Sequence, residues 1–133
     1  MGQVEVYRIE TESGGGPYTG LEDGMDLAIH LASNGPTHPG PHKDGCDDGV
    51  ALGFVCGFRD VDQGRRWFGA SVELARAINR RRRELFVSVY DVPEMAVVRG
   101  DRQVMFDRDA ATLVERLPVE YLTSWAFRHA ATN

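Results

Sequence analysis

The sequence predicts a small α+β domain, on three observations. A strictly alternating segment opens the chain, helix-spaced apolar residues follow it, and strand-like segments crowd the second half. Helices and strands segregated in this way argue against a doubly wound parallel sheet. At 133 residues the chain fits one domain, 1–133, with a single core.

The elements follow in order. Val4-Glu5-Val6-Tyr7-Arg8-Ile9-Glu10 alternates, with Val4, Val6 and Arg8 on one face and Glu5, Tyr7 and Ile9 on the other, which predicts a strand carrying an unusual arginine. Ser13-Gly14-Gly15-Gly16-Pro17-Tyr18-Thr19-Gly20 predicts a flexible loop. Leu27, Ala28, Leu31 and Ala32 recur at helical spacing within 23–33, and Asn34-Gly35-Pro36 supplies a stop. Pro36, Pro39 and Pro41 make 34–49 an irregular loop. The apolar run from Val50 to Phe58 predicts a buried strand whose interior glycines allow close backbone approach.

Asp60-Val61-Asp62-Gln63 resembles a capping box and predicts a helix that carries Trp67 and Phe68 inward. Ser71 is placed to cap the next helix, with Val72, Ala75 and Ile78 inward, Arg76, Arg80 and Arg83 outward, and Arg80 to Arg83 as its basic end. Leu85 to Val92 alternates as a strand that Pro93 ends. Val97 to Arg99 and Gln103 to Phe106 flank Gly100-Asp101, the pattern of a tight hairpin whose first turn residue needs positive φ. Asp109 is read as the cap of a short helix through Leu117, and Val119 to Trp125 as a closing strand. The helices number three to four.

Charge and composition narrow the function. Twenty acidic residues against fifteen basic ones give −5, which disfavours general polyanion binding and makes nucleic acid an unlikely partner. Fourteen of the fifteen basic residues are Arg, the side chain suited to bidentate contacts with phosphate and carboxylate, and Lys43 is the exception. Cys46 and Cys56 are too few for a disulfide scaffold, and no apolar run approaches the roughly 20 residues that span a bilayer. With no basic and apolar leader at Met1, the expected location is cytoplasmic, with no membrane partner.

Arg8 is the first candidate for ligand chemistry. A guanidinium on a rigid strand can grip a phosphate bidentately, and the flexible amides of Gly15 and Gly16 beside it can approach a pyrophosphate closely. The same arginine on an edge strand also fits a solvated charge.

Three segments in order resemble the signature strands of the ADP-ribosyltransferase-like superfamily, including its RES-type and small toxin-like members. Val6-Tyr7-Arg8-Ile9 resembles the first, the passage from Gly57 to Phe68 the second, and Phe86 to Pro93 with Arg102-Gln103-Val104-Met105-Phe106 the late strand pair. The resemblance implies a split, mostly antiparallel sheet and a site for NAD or an NAD-derived nucleotide. In that site Arg8, Gly15, Gly16 and Tyr18 hold the nucleotide, Phe58 lines the nicotinamide side, and Gln103 takes the catalytic acid's place. A Gln there lacks the charge that stabilises an oxocarbenium-like centre, so the resemblance implies binding more firmly than transfer of ADP-ribose. Gly16-Pro17-Tyr18, Gly57-Phe58-Arg59 and Gln103 to Phe106 also resemble elements of small phage-encoded proteins. This suggests a non-catalytic inhibitor or sequestering protein directed at a host defence factor or its nucleotide signal. The expected partner is accordingly a nucleotide or a host protein.

Other constellations carry less. His38, His42 and Cys46 are ligand types for zinc, but the prolines between the histidines exclude the helix that would align them, so a solvated loop and no bound metal are expected. Arg80 to Arg83 spread around a helical turn and read as a solvated C-terminal end. Cys56 lies in an apolar run without a neighbouring His, Cys46 sits among acids, and no nucleophile elbow or phosphate-loop spacing is present.

Overall fold

The computed structural model of the protein describes residues 2–16, 44–69, 76 and 78–122. The expected helix at 23–33, the cap at Ser71, and the residues Tyr18, His38 and His42 lie outside the described residues.

The alternating start forms strand β1 (Gln3–Thr11), which pairs antiparallel with β3 (Leu85–Pro93) over its whole length. On its other side β3 pairs antiparallel with β6 (Thr112–Pro118), giving the order β1-β3-β6. The second sheet has β5 (Val104–Phe106) between β2 (Val55–Gly57) and β4 (Val97–Arg99), again antiparallel. A bridge between Tyr7 and Phe58 joins the sheets, with N–H to O distances of 2.8 and 2.7 Å. With its short helices the protein is thus α+β, with two antiparallel three-stranded sheets among the described residues. Gly57 permits the junction, because a Cβ there would lie 2.8 Å from the Val6 side chain and 2.9 Å from the Tyr7 carbonyl.

Period-two alternation places a core on each face of the β1–β3 pair. On one face Ile9, Leu85 and Val87 pack with Phe58, Trp67, Phe68, Ile78, Val119 and Leu122. On the other, Val6, Tyr90 and Val92 pack with Val104 and Phe106 of the second sheet and with Ala96 of the 3-10 turn that precedes β4. Helix α2 (Val61–Gly69) supplies Trp67 and Phe68 to the first core. Its cap forms at Asp60 as expected, with the Gln63 N–H donating to Asp60 Oδ1 at 2.7 Å, while the returning bond is shifted by one residue: Gln63 Oε1 accepts from the Arg59 N–H at 2.9 Å rather than from the N–H of Asp60.

The remaining expectations are corrected in part. The run at Val50 does not open a strand: Asp47–Ala51 is helix α1, with Asp47 and Asp48 in its positively polarised first turn. Gly53, at φ 72°, closes it with bonds from Gly53 N to Val50 O and from Phe54 N to Gly49 O, a Schellman cap. Extended pairing therefore waits until Val55. The hairpin at Gly100 forms without positive φ there, since only Gly14, Gly45 and Gly53 adopt it among the described residues. Gly100 is instead required by proximity, as a Cβ would lie 2.6 Å from the Asp44 carbonyl and 2.9 Å from Cys46 Sγ.

Asp109 caps no helix through Leu117. Asp107 caps a single 3-10 turn (Arg108–Ala110), accepting from the Asp109 N–H, and the chain then extends as β6 because β3 offers it a free edge. Val119 does not begin a strand, for helical residues follow at 120–122.

Candidate functional site

Residues two apart on a strand share a face, so Arg8 and Glu10 both point to the side of Val6. Opposite them β3 presents Ser88 beside Arg8 and Tyr90 beside Val6. The Tyr90 hydroxyl donates to the Glu10 carboxylate, at 3.0 Å to Oε2 and closer to Oε1. Arg8 Nη1 donates to the Cys56 carbonyl of β2 at 2.7 Å, while its Nε lies 3.9 Å from Glu10 Oε2. The 3-10 turn before β6 brings in Arg108, whose Nη2 is 3.8 Å from the same Glu10 oxygen and donates to the Gly14 carbonyl at 2.6 Å.

The glycine loop covers this cluster. It turns back on the end of β1, with Thr11 Oγ1 accepting from Gly15 N at 3.1 Å and Thr11 N donating to Gly15 O at 2.8 Å. Gly14, at φ 95°, needs the left-handed conformation. A Cβ on Gly16 would sit 3.1 Å from Arg8 Nη2, so the absent side chain is what lets loop backbone and guanidinium meet.

Burial sets the electrostatics. Arg8 is 8% exposed and Glu10 and Ser88 are fully buried, while a third of the Arg108 side chain is exposed. Burial, then repulsion from Arg108, makes the Arg8 guanidinium less basic than usual, against the pull of Glu10. Burial and the bond to Glu10 push the Tyr90 phenol up, and burial also raises the Cys56 thiol, opposed by Arg8.

Two guanidiniums, those of Arg8 and Arg108, therefore lie within 4 Å of the one Glu10 carboxylate. Among the described residues, the buried side-chain polar atoms left without a hydrogen bond, Arg8 Nε, Arg108 Nε and Ser88 Oγ, all belong to this neighbourhood. Each Nε–H is a donor only and cannot satisfy the other, and the Glu10 carboxylate, 3.9 Å from Arg8 Nε, lies beyond hydrogen-bond reach of it.

The other candidates from the sequence fall elsewhere. Gln103, 4% exposed, precedes β5 in the hairpin, where its N–H donates to Asp44 Oδ2 at 3.0 Å. Phe58 sits in the apolar core on the face of β1 opposite Arg8, its ring 5.8 Å from Trp67 and 5.7 Å from Phe68. The structure thus brings Arg8 together with Gly16 and does not place the Phe58 ring beside them. Cys46 is buried ahead of α1, where burial and then Asp44 push its thiol up to about 11. The arginine turn behaves as a helix end: Arg80 Nε donates to Arg76 O, Arg82 Nη1 to Asn79 O, and Arg81 pairs with Glu84 at 3.2 Å.

Glu10, Ser88, Tyr90 and Arg108 were missed by sequence reasoning. Glu10 was readable, two residues beyond Arg8 in a period-two strand. Nothing local marks Arg108, which follows Arg8 by a hundred positions and sits in a turn that reads as a helix start.

The family model described as "Bacteriophage T4 Y00F protein" matches residues 3–120, which spans every described element from β1 to β6. No curated protein and no solved structure matches the chain.

Proposed function

Because the chain belongs to the Bacteriophage T4 Y00F protein family, we propose that it is a phage protein of the binding kind, holding a phosphate-bearing, NAD-derived nucleotide against Arg8 and Arg108 beneath the Gly14–Gly16 loop. It removes that nucleotide from use in the infected cell, as a sequestering agent against a host defence signal, rather than consuming it. The observation that carries this reading is the gathering of two arginines on the single Glu10 carboxylate, with the Nε–H of each, and the hydroxyl of Ser88 opposite Arg8, making no hydrogen bond. A phosphate oxygen supplies what is missing, and guanidinium is the side chain that binds it best.

Gln103 has no charge to set against an oxocarbenium-like centre, and its backbone belongs to the Asp44-braced hairpin. The reading therefore stops at binding.

Calorimetry with NAD, ADP-ribose and cyclic ADP-ribose isomers tests it. At least one is expected to bind near one to one, NAD is expected to release no nicotinamide, and Arg8→Ala is expected to abolish binding while the protein stays folded by circular dichroism. No heat with any of them, or full binding by Arg8→Ala, overturns it. Capture from a host lysate of a stoichiometric protein with no nucleotide would transfer the function to a protein interface.

A further inference from the structure

The arginine turn ahead of β3 is wound more tightly than an α-helix. Arg81 N donates to Ile78 O at 3.0 Å, Arg82 N to Asn79 O at 3.2 Å and Glu84 N to Arg81 O at 2.9 Å, each three residues back. Such winding has about three residues per turn and brings residues three apart into line, so Arg80 and Arg83 share a side. Arg81 and Arg82 are matched within the chain, by Glu84 at 3.2 Å and Glu120 at 3.9 Å. Arg80 commits only its Nε, to the Arg76 carbonyl, and Arg83 pairs with no carboxylate among the described residues. Arg80 to Arg83 and Glu84 line a cavity of about 320 Å³. Glu84 also borders a second cavity, of about 480 Å³, whose other walls are Thr11, Glu12 and Ser13. Strand pairing brings the two together, because Thr11 stands opposite Leu85, the residue after Glu84. The result is one cleft with guanidiniums on one side of Glu84 and hydroxyl and carboxylate groups on the other, lined by polar residues throughout.

We propose that this cleft is a second ligand site, sharing no residue with the Arg8 cluster, and that it takes a phosphorylated sugar. The phosphate lies on Arg80 and Arg83, whose guanidinium forks match phosphate oxygens and are not already neutralised by the chain. The sugar hydroxyls lie against Glu12 and Glu84, since an ionised carboxylate only accepts hydrogen bonds and a hydroxyl is the donor it needs. Thr11 and Ser13 add hydroxyls that donate or accept. The lining holds no aromatic ring on which a base could stack and no apolar side chain, which disfavours a nucleic-acid strand or an apolar segment of a partner protein as the occupant.

Ribose 5-phosphate, inorganic phosphate and ribose are the probes, titrated into the full chain at constant ionic strength while its amide resonances are followed by NMR. Ribose 5-phosphate is expected to shift the amides of residues 80–84 and 11–13 together, inorganic phosphate those of 80–84, and ribose neither. The double variant Arg80→Gln/Arg83→Gln, at two exposed positions that leave the pairs of Arg81 and Arg82 in place, is expected to weaken ribose 5-phosphate about tenfold or more. Glu12→Ala is expected to weaken ribose 5-phosphate and leave inorganic phosphate unchanged. Full binding by the double variant, or no shift at 80–84 with either phosphate, overturns the proposal. Inorganic phosphate binding as tightly as ribose 5-phosphate overturns the sugar half of it, and a short single-stranded oligonucleotide binding the turn more tightly than ribose 5-phosphate gives the site to nucleic acid instead. Arg8→Ala is expected to leave every one of these shifts in place, so this site and the nucleotide reading above can fail independently, and loss of the shifts in Arg8→Ala overturns the claim of a second site.

Discussion

Arg8 and Ser88 stand directly opposite each other across the β1–β3 pair, and neither Arg8 Nε nor Ser88 Oγ has a hydrogen-bond partner. Two polar groups in one cross-strand pair are left unsatisfied, and each carries a desolvation cost that an apolar side chain would not.

Ser88→Ala removes a buried hydroxyl that has no hydrogen-bond partner. It is expected to raise stability by about 1 kcal/mol, because the desolvation of that hydroxyl is no longer incurred. Urea unfolding of the two proteins checks this, and a loss of stability would mean the hydroxyl is satisfied in solution.

Glu10→Ala is expected to act in the opposite direction and more strongly. It leaves Arg8 and Arg108 facing each other around a vacated carboxylate, and breaking a buried ion pair from one side costs about 3 kcal/mol or more. Denaturant melts at neutral pH give the value. Arg8→Ala in the same assay is expected to cost less, since Glu10 keeps Tyr90 and Arg108.

Alkaline pH is expected to destabilise the protein through its tyrosines. The bond to Glu5, then burial, raises Tyr7 from the ordinary value of 10.0 to about 12, and burial with the Glu10 bond raises Tyr90. For groups whose folded value is raised, the stabilisation is complete below the unfolded value and is lost as pH climbs through the folded one. Stability is therefore expected to hold to about pH 10 and to fall towards pH 12. Tyr90→Phe is expected to flatten that fall, as read by thermal melts across the range.

Gly57→Ala tests the junction of the two sheets. Its Cβ would meet Tyr7 O at 2.9 Å and the Phe106 ring at 3.1 Å, and backbone cannot yield as a flexible side chain can. A loss of about 3 kcal/mol is expected. Gly53→Ala, with open space around it but φ 72°, is expected to cost nearer 1 kcal/mol, from backbone conformation alone.

Legibility in the sequence followed the range of the interactions. The strands at Val4–Glu10 and Leu85–Val92 and the cap at Asp60–Gln63 were readable because alternation and capping act within a few residues. The run at Val50 was misread because a short apolar stretch has no period that separates helix from strand, and Gly53 decided the matter by closing α1. Thr112–Leu117 became strand through its partner β3, a tertiary cause.

By itself the sequence determined an α+β chain with a strand-borne arginine next to a glycine loop, since both follow from local steric preference and a period of two. Only the tertiary structure decided what that arginine faces. Pairing β1 with β3 set Ser88 and Tyr90 against Arg8 and Glu10, and the turn before β6 returned Arg108 to the same carboxylate. Charge balance in a buried site depends on which groups are brought within a few ångströms, and chain order does not encode that distance.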